Sequence, residues 1–224
     1  RTCGRLRNAP AVKLLLTQLA YPNLQVRTQT LLALQQCGYQ AEAAIRPLIE
    51  QQLQAEFAHA AWTLAGIVDL GETETVALLR TALAHSLVQQ QVRLFLWLAF
   101  LYDGPKMLRV RDAFRRMQGV HSQTADEQRA YALELLDVLV AKIITKHLAP
   151  LLDDLPPAQQ LKQLAGDFPQ PALPLHERLA EIITGDDAWL TPWRKAVALY
   201  TAVLSPASAT VQAALCAAVQ ALSV

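Results

Sequence analysis

The sequence predicts an all-α protein, a right-handed α-α superhelix of about five helix pairs with an irregular, proline-rich insertion before the last pair. Three observations support this prediction. Ala, Leu and Gln dominate and only 8 Gly occur in 224 residues, which suits helices more than strands. A pattern of polar turn, Val-Arg, about three apolar helical turns and Gly occurs at residues 22–38 and 87–104. The arginine of that pattern recurs along the chain, as Arg27, Arg93, Arg129 and Arg194.

The spacing of these four arginines indicates the length of the repeat. The gaps are 66, 36 and 65 residues, which we interpret as two units, one unit and two units of about 33–36 residues each. A unit of that length holds two helices and two turns, as in known helical repeats. Where a unit lacks its arginine, residues 57–62 (FAHAAW) occupy the equivalent place. The regular repeats therefore cover residues 10–140.

Four helix pairs fill the regular repeats. In the first pair, Pro10 suits the first turn of a helix, where its missing N–H costs little. Gly38 follows the second helix and suits a left-handed helix end, and Gly71 closes the second pair. The predicted pairs are 10–20 with 24–37, 41–53 with 56–69, 72–85 with 88–102, and 105–117 with 125–140.

The regularity breaks after residue 140, although we treat 1–224 as a single domain. An extended helix and a proline-rich connector span residues 141–173. We expect helices at about 142–154 and 157–165, followed by a stiff irregular segment. Its prolines remove backbone donors and restrict the residues before them.

The last repeat and an unpaired helix span residues 174–224. The final pair is predicted at about 174–184 and 189–203, and an Ala-rich helix at about 207–222. The apolar stripe of that last helix has no later helix to cover it, whereas a terminal repeat needs a polar outer face. Three outcomes stay open: the helix folds back, it forms a homodimer with another copy, or the natural protein continues beyond Val224.

Composition and charge limit the classes of partner. Hydrophobic residues make up 53% of the chain and charged residues 17%, so a sizeable core can be buried and disorder is not expected. The net charge of +1 is the sum of +5 for residues 1–116 (13 Lys and Arg against 8 Asp and Glu) and −4 for residues 117–224 (7 against 11). We therefore expect no specific nucleic acid as partner, while one half could prefer an acidic partner.

The cysteines and the absence of targeting patterns favour a cytoplasmic location. Cys3, Cys37 and Cys216 are odd in number and far apart, with no CxxC motif, so reduced thiols are expected. No run of about 18 apolar residues occurs, so we expect no membrane span. The sequence starts at Arg rather than Met and shows no signal-peptide pattern, and we expect it to be a fragment of a longer protein.

The turn PNLQVR at 22–27, with the apolar helix that follows it and Gly38, resembles the HEAT repeat of the armadillo-like family. The same pattern recurs in degenerate form over most of the chain. HEAT turns often carry Asp-Pro, and this turn lacks the Asp. The resemblance implies a HEAT-like α solenoid, a fold that commonly serves as a scaffold for protein binding.

A narrower resemblance covers the second half. It rests on ALELLD at 132–137, LAPLLDD at 148–154, DAWL at 187–190 and ALY at 198–200. These segments look like the HEAT part of certain bacterial membrane proteins that resemble nucleotide translocases at the N-terminus, some with a cyclic-nucleotide-binding domain after the repeats. The resemblance implies that this chain is the soluble, cytosolic middle piece. Neither flanking module lies in these residues, so neither activity is assigned to them.

No catalytic residue, cofactor-binding residue or metal ligand is predicted. The sequence contains no GxGxxG, GxxxxGK[ST], HExxH or GxSxG motif. Its five histidines never lie three or four residues apart, the spacing with which one helix face binds a metal. We therefore predict that the protein is not an enzyme.

Two sets of basic residues are the candidate sites. The first is the set of four repeat arginines, which could bind phosphates or acidic peptides. The alternative is that each arginine bonds to carbonyls or an acid of the neighbouring repeat. We favour this structural interpretation, because a residue that faces the neighbouring repeat usually contributes to the packing between repeats.

The second set is a basic patch with five cations in eleven residues, predicted to bind a partner. At 100° per residue the patch divides: one side has Lys106, Arg109 and Arg116, and another has Arg111 and Arg115. It could bind an acidic protein, a nucleic-acid backbone or anionic lipid headgroups. A solvated outer helix is the simpler alternative.

Two functional hypotheses follow. The first is a non-enzymatic protein-interaction or regulatory scaffold module, which binds a partner protein or the flanking domains of its own chain. The second is a nucleic-acid-binding HEAT-like enzyme such as an alkylpurine DNA glycosylase, which needs a strongly basic groove with aromatic and acidic residues. The nearly neutral charge and the acidic second half favour the first.

Overall fold

The computed structural model describes residues 9–21, 23–117, 122–187 and 189–205, and within them the chain is helical with no strand. All-α architecture is therefore confirmed for this part of the protein. Short 3₁₀ turns at Gln18–Ala20 and Glu74–Val76 accompany the α-helices. The described α-helices are α1 (Ala9–Thr17), α2 (Leu24–Gln36), α3 (Arg46–Leu70), α4 (Ala77–Leu101), α5 (Gly104–Met117), α6 (Gln123–Leu139), α7 (Lys142–Leu152), α8 (Pro157–Leu164), α9 (Leu175–Thr184) and α10 (Pro192–Leu204).

Local chemistry explains where several helices begin and end. The side chain of Asn23 accepts hydrogen bonds from the backbone N–H groups of Gln25 and Val26, which caps the start of α2. Gly38 follows α2 with φ +71°, so the predicted left-handed helix end is confirmed. Gly71 after α3 has φ +69°. Both positions favour glycine because a Cβ is strained at such φ values.

The predicted second and third helix pairs are wrong. The breaks expected at 54–55 and 86–87 lie inside α3 and α4, which are continuous helices of 25 residues each. Neither break contains Gly or Pro, so nothing interrupts the backbone hydrogen bonds. Ser86 donates its hydroxyl proton to the Ala82 carbonyl. Gln90, which we interpreted as part of a polar turn, is buried and donates from Nε2 to Thr63 Oγ1 at 2.8 Å.

The two long helices form the centre of the structure. α3 and α4 run antiparallel and make the most extensive helix–helix contact. α2, α5 and α10 pack on α4, while α8 and α9 pack on α3. One core cluster surrounds Phe57, Phe95 and Phe100, and a second surrounds Leu79 and Ile182. Both clusters draw on α3 and α4, which therefore connect the two halves of the core.

α8, α9 and α10 return to the central helices, and this packing does not confirm the predicted superhelix. In a solenoid each repeat contacts only its neighbours, whereas Trp62 of α3 bonds to Glu181 of α9, 119 residues later. The irregular segment at 169–174, which contains three prolines and no helix, separates α8 from α9 and lets the chain change direction between them. The superhelical arrangement therefore stays a prediction.

The second half follows the predicted helix boundaries closely. The helices expected at about 142–154 and 157–165 are α7 and α8, and the final pair is α9 and α10. The Ala-rich helix predicted at 207–222 lies outside the described residues. Among the described helices, none combines the length and the apolar character that crossing a bilayer requires.

Candidate functional site

The basic patch divides between two grooves on opposite sides of α5. Lys106, Arg109 and Arg116 line a groove between α5 and α6. Arg111 and Arg115 line a different groove, formed with α4, α7 and α8. The division follows the predicted rotation of 100° per residue. Only the first three cations therefore share a surface.

The α5–α6 groove encloses about 800 Å³ and joins these cations to apolar side chains. Tyr131 and Leu135 of α6 line it, together with Val110 of α5. Tyr131 is 68% exposed, and Val138, one turn beyond Leu135, is 83% exposed. Residues 131, 135 and 138 recur at i, i+4 and i+7, so they form one apolar stripe along α6.

Two cations of the α5–α6 groove, Lys106 and Arg109, contact residues at the start of α5. The Asp103 carboxylate accepts the Lys106 backbone N–H at 3.1 Å and lies 2.9 Å from Lys106 Nζ. Hydrogen bonding from the Lys106 side chain lowers the pKa of Asp103. Arg109 Nε donates to the Pro105 carbonyl at 3.4 Å. Among the described residues that line the groove, Glu127 is the carboxylate; counted with Asp103, two carboxylates face three cations.

Three of the four repeat arginines lie near one another, because Arg93 acts electrostatically on both Arg27 and Arg194. Arg93 is buried and donates from Nε and Nη2 to the two oxygens of Glu56, at 2.7 and 2.9 Å. Arg194 is buried and donates from Nη1 to the Trp189 carbonyl. Arg27 is half-buried, and its Nε has no hydrogen-bond partner among the described residues.

The fourth repeat arginine lies elsewhere. Arg129 is buried, donates from Nη2 to the Met117 carbonyl at 3.1 Å, and lies 4.0 Å from the Asp154 carboxylate. It lines the same groove as Arg111 and Arg115. The shared sequence pattern therefore did not place all four arginines at one site.

Burial and mutual repulsion affect the acid–base behaviour of the arginine cluster. Burial, with the nearby Arg93 charge, lowers the pKa of Arg194 from its usual range to about 10. The pKa of Arg27 is also lowered, mainly by burial. The Glu56 charge raises this pKa, and the Arg93 charge lowers it further. His59 lies beside them, and its pKa is well below 6.5 because of burial and the charges of the three arginines.

The buried, neutral state of His59 predicts a pH dependence of stability. In the unfolded chain His59 takes up a proton below pH about 6.5, whereas in the folded chain His59 stays neutral. The free energy of unfolding should therefore fall as the pH drops below about 6.5, by up to about 1.4 kcal/mol per pH unit, until the folded pKa is reached. Urea denaturation at a series of pH values measures this slope.

The variant His59→Phe isolates that contribution. It retains an aromatic ring against Trp189, whose ring centroid is 4.5 Å from that of His59. We expect the slope between pH about 6.5 and about 5.5 to be smaller in the variant than in the native sequence. Equal slopes in the two proteins would mean that His59 is protonated in the fold.

A buried arginine that the sequence did not single out joins α9 to α3. Arg178 has 0% side-chain exposure and donates from Nε and Nη2 to Asp69 Oδ2, at 2.9 and 2.6 Å. It also bonds to Glu181, which accepts the indole N–H of Trp62 at 3.0 Å. The guanidinium lies over the Trp62 ring at 5.6 Å. The positive charge of Arg178 is thus compensated by carboxylates within the fold.

Within the described ranges, no group of three or more His, Cys, Asp or Glu residues is arranged to hold a metal ion. Comparison of the chain with protein-family models, with curated proteins and with solved structures gives no match. The HEAT resemblance stays a prediction, and the geometry of the α5–α6 groove is the basis on which we propose a function.

Proposed function

We propose that the chain is a non-enzymatic protein-interaction or regulatory scaffold module that binds an acidic helical segment of a partner protein in the α5–α6 groove. One observation carries the proposal: Lys106, Arg109 and Arg116 line the same groove as Tyr131 and Leu135 of α6. The partner segment belongs to another protein or to a flanking domain of the same chain.

The apolar part of the α5–α6 groove supports a helix as the bound element. Tyr131, Leu135 and Val138 are spaced at i, i+4 and i+7, the spacing with which an amphipathic helix contacts a groove. Exposed apolar side chains in one row are unfavourable unless something covers them. Tyr131 adds an aromatic anchor, a residue type enriched at interface centres.

The charged part of the α5–α6 groove supports an acidic partner. Lys106 and Arg116 are exposed, and Arg109 is exposed between them along α5. Three cations against Glu127 and the Asp103 that pairs with Lys106 leave a net positive charge, which attracts a helix that carries Asp or Glu beside its apolar face. Such charges mainly raise the association rate and select the partner, while the apolar row supplies contact area.

Charge reversal on neighbouring residues tests the proposal. The probe is a fluorescein-labelled helical peptide with Leu at i, i+4 and i+7 and Glu on both flanks of the leucines. Arg116→Glu should weaken its binding about tenfold or more in fluorescence anisotropy, because it puts a negative charge beside the glutamates. Arg115→Glu is the matched control, since Arg115 lies in the same last turn of α5 but faces the other groove.

The outcomes separate the proposal from its alternatives. Equal weakening by both substitutions would contradict binding in the α5–α6 groove, and so would the absence of peptide binding to the native sequence. A labelled DNA duplex is titrated in parallel. Tighter binding of the duplex than of the peptide, with a steep salt dependence, would contradict the proposal and support the glycosylase alternative.

A further inference from the structure

Another pocket lies between α2, α4 and α10, and it shares none of its described lining residues with the α5–α6 groove. It encloses about 590 Å³, within the range of small-molecule sites. Arg93 and Arg194 line it, and polar side chains such as Gln25, Thr28 and Gln89 surround them. We call it the arginine pocket. None of the described residues that line it is Asp or Glu.

The charge balance of the arginine pocket is positive. Arg93 and Arg194 line it, and Arg27 lies close enough for the Arg93 charge to lower the pKa of Arg27. Glu56 is the carboxylate bonded to Arg93, and it neutralises one charge of the three. Buried arginines with such an excess of positive charge are costly unless an anion joins them.

Donor geometry around the arginine pocket also suits an anion. A guanidinium has five N–H donors, and the hydrogen bonds from Arg194 include one to the Trp189 carbonyl. The first turns of α2 and α10 border the pocket through Leu24, Gln25, Thr191 and Trp193. Helix N-termini carry partial positive charge and add to the field of the arginines.

We propose that the arginine pocket binds the phosphate group of a small organic phosphate ester, held by Arg93 and Arg194. Arg93 already donates from Nε and Nη2 to Glu56, so the phosphate accepts hydrogen bonds from the other N–H groups of Arg93 and from Arg194. Such charge-assisted hydrogen bonds are stronger than those between neutral groups. Trp193 is 65% exposed at the rim and provides an aromatic surface for the organic part of the ligand. This site is separate from the α5–α6 groove, so either proposal can fail without the other.

The experiment is calorimetric titration of the full chain with phenyl phosphate and, separately, with inorganic phosphate. Removing either arginine would also break contacts that hold the fold, so the test variant is Gln89→Glu. Gln89 is half-buried in the pocket wall, and the isosteric substitution places a negative charge near the phosphate while the arginines remain. We expect it to weaken phenyl phosphate binding about tenfold or more.

Gln163→Glu is the matched control, because it makes the same charge change at an exposed position of α8. It should alter the affinity less than about twofold. Phenyl phosphate should bind more tightly than inorganic phosphate, since its ring can contact Trp193. Equal affinity for the two probes would overturn the role of Trp193. No binding of phenyl phosphate at millimolar concentration, or equal affinity in native and Gln89→Glu proteins, would overturn the proposal.

Discussion

Arg178→Ala should lower the free energy of unfolding by about 3–5 kcal/mol. The substitution leaves Asp69 and Glu181 without the cation that joins them, and the Asp69 side chain is only 7% exposed. It also removes the contact with the Trp62 ring. Because these groups join α9 to α3 beside their shared apolar core, the loss should be visible in urea denaturation followed by far-UV circular dichroism.

Arg80→Ala is the matched control for that prediction. Arg80 lies on α4 and pairs with exposed Glu72 at 3.5 Å, a surface pair of the kind that contributes at most about 1 kcal/mol. A loss in Arg178→Ala no larger than in Arg80→Ala would show that α9 is held on α3 by its apolar residues alone.

Glu56→Gln is expected to have the second largest effect, about 3 kcal/mol of lost stability. The substitution preserves shape but removes the carboxylate that binds Arg93 through two short hydrogen bonds. Arg27, Arg93 and Arg194 would then lie close together without its charge, in a site where burial and Arg93 already lower the pKa of Arg194 to about 10.

Glu50→Gln provides the comparison, since Glu50 is exposed on the same helix. It should change the midpoint of urea denaturation by a few tenths of a molar at most, corresponding to less than about 0.5 kcal/mol. If Glu56→Gln is as mild as Glu50→Gln, the arginines do not depend on Glu56 for their charge balance.

Much of the helical layout was predictable from the sequence because it depends on local signals. Gly38 ends α2 where the pattern indicated, and the proline-rich segment separates α8 from α9. The merging of two predicted pairs into α3 and α4 was not predictable in this way. The polarity of Gln90 suggested a turn. In the structure its side chain instead donates a hydrogen bond to Thr63 on another helix, a contact that sequence spacing does not reveal.

The candidate sites show the same distinction. The division of the basic patch follows from helical rotation, so it could be predicted. The position of the apolar stripe beside the cations depends on how α6 packs against α5, and this packing could not be predicted from the sequence. Arg178 was missed although a signal existed: Leu175 and Ile182 place position 178 on the apolar face of α9, where a charged residue must be paired.

The most direct test of the proposed function is hydrogen–deuterium exchange with and without the acidic helical peptide. A bound helix covers the exposed side chains of the α5–α6 groove and slows local opening of the helices that form it. The account predicts slower exchange in Gly104–Met117 and Gln123–Leu139 and unchanged exchange in α9 and α10. Protection confined to other helices, or none at saturating peptide, would contradict it.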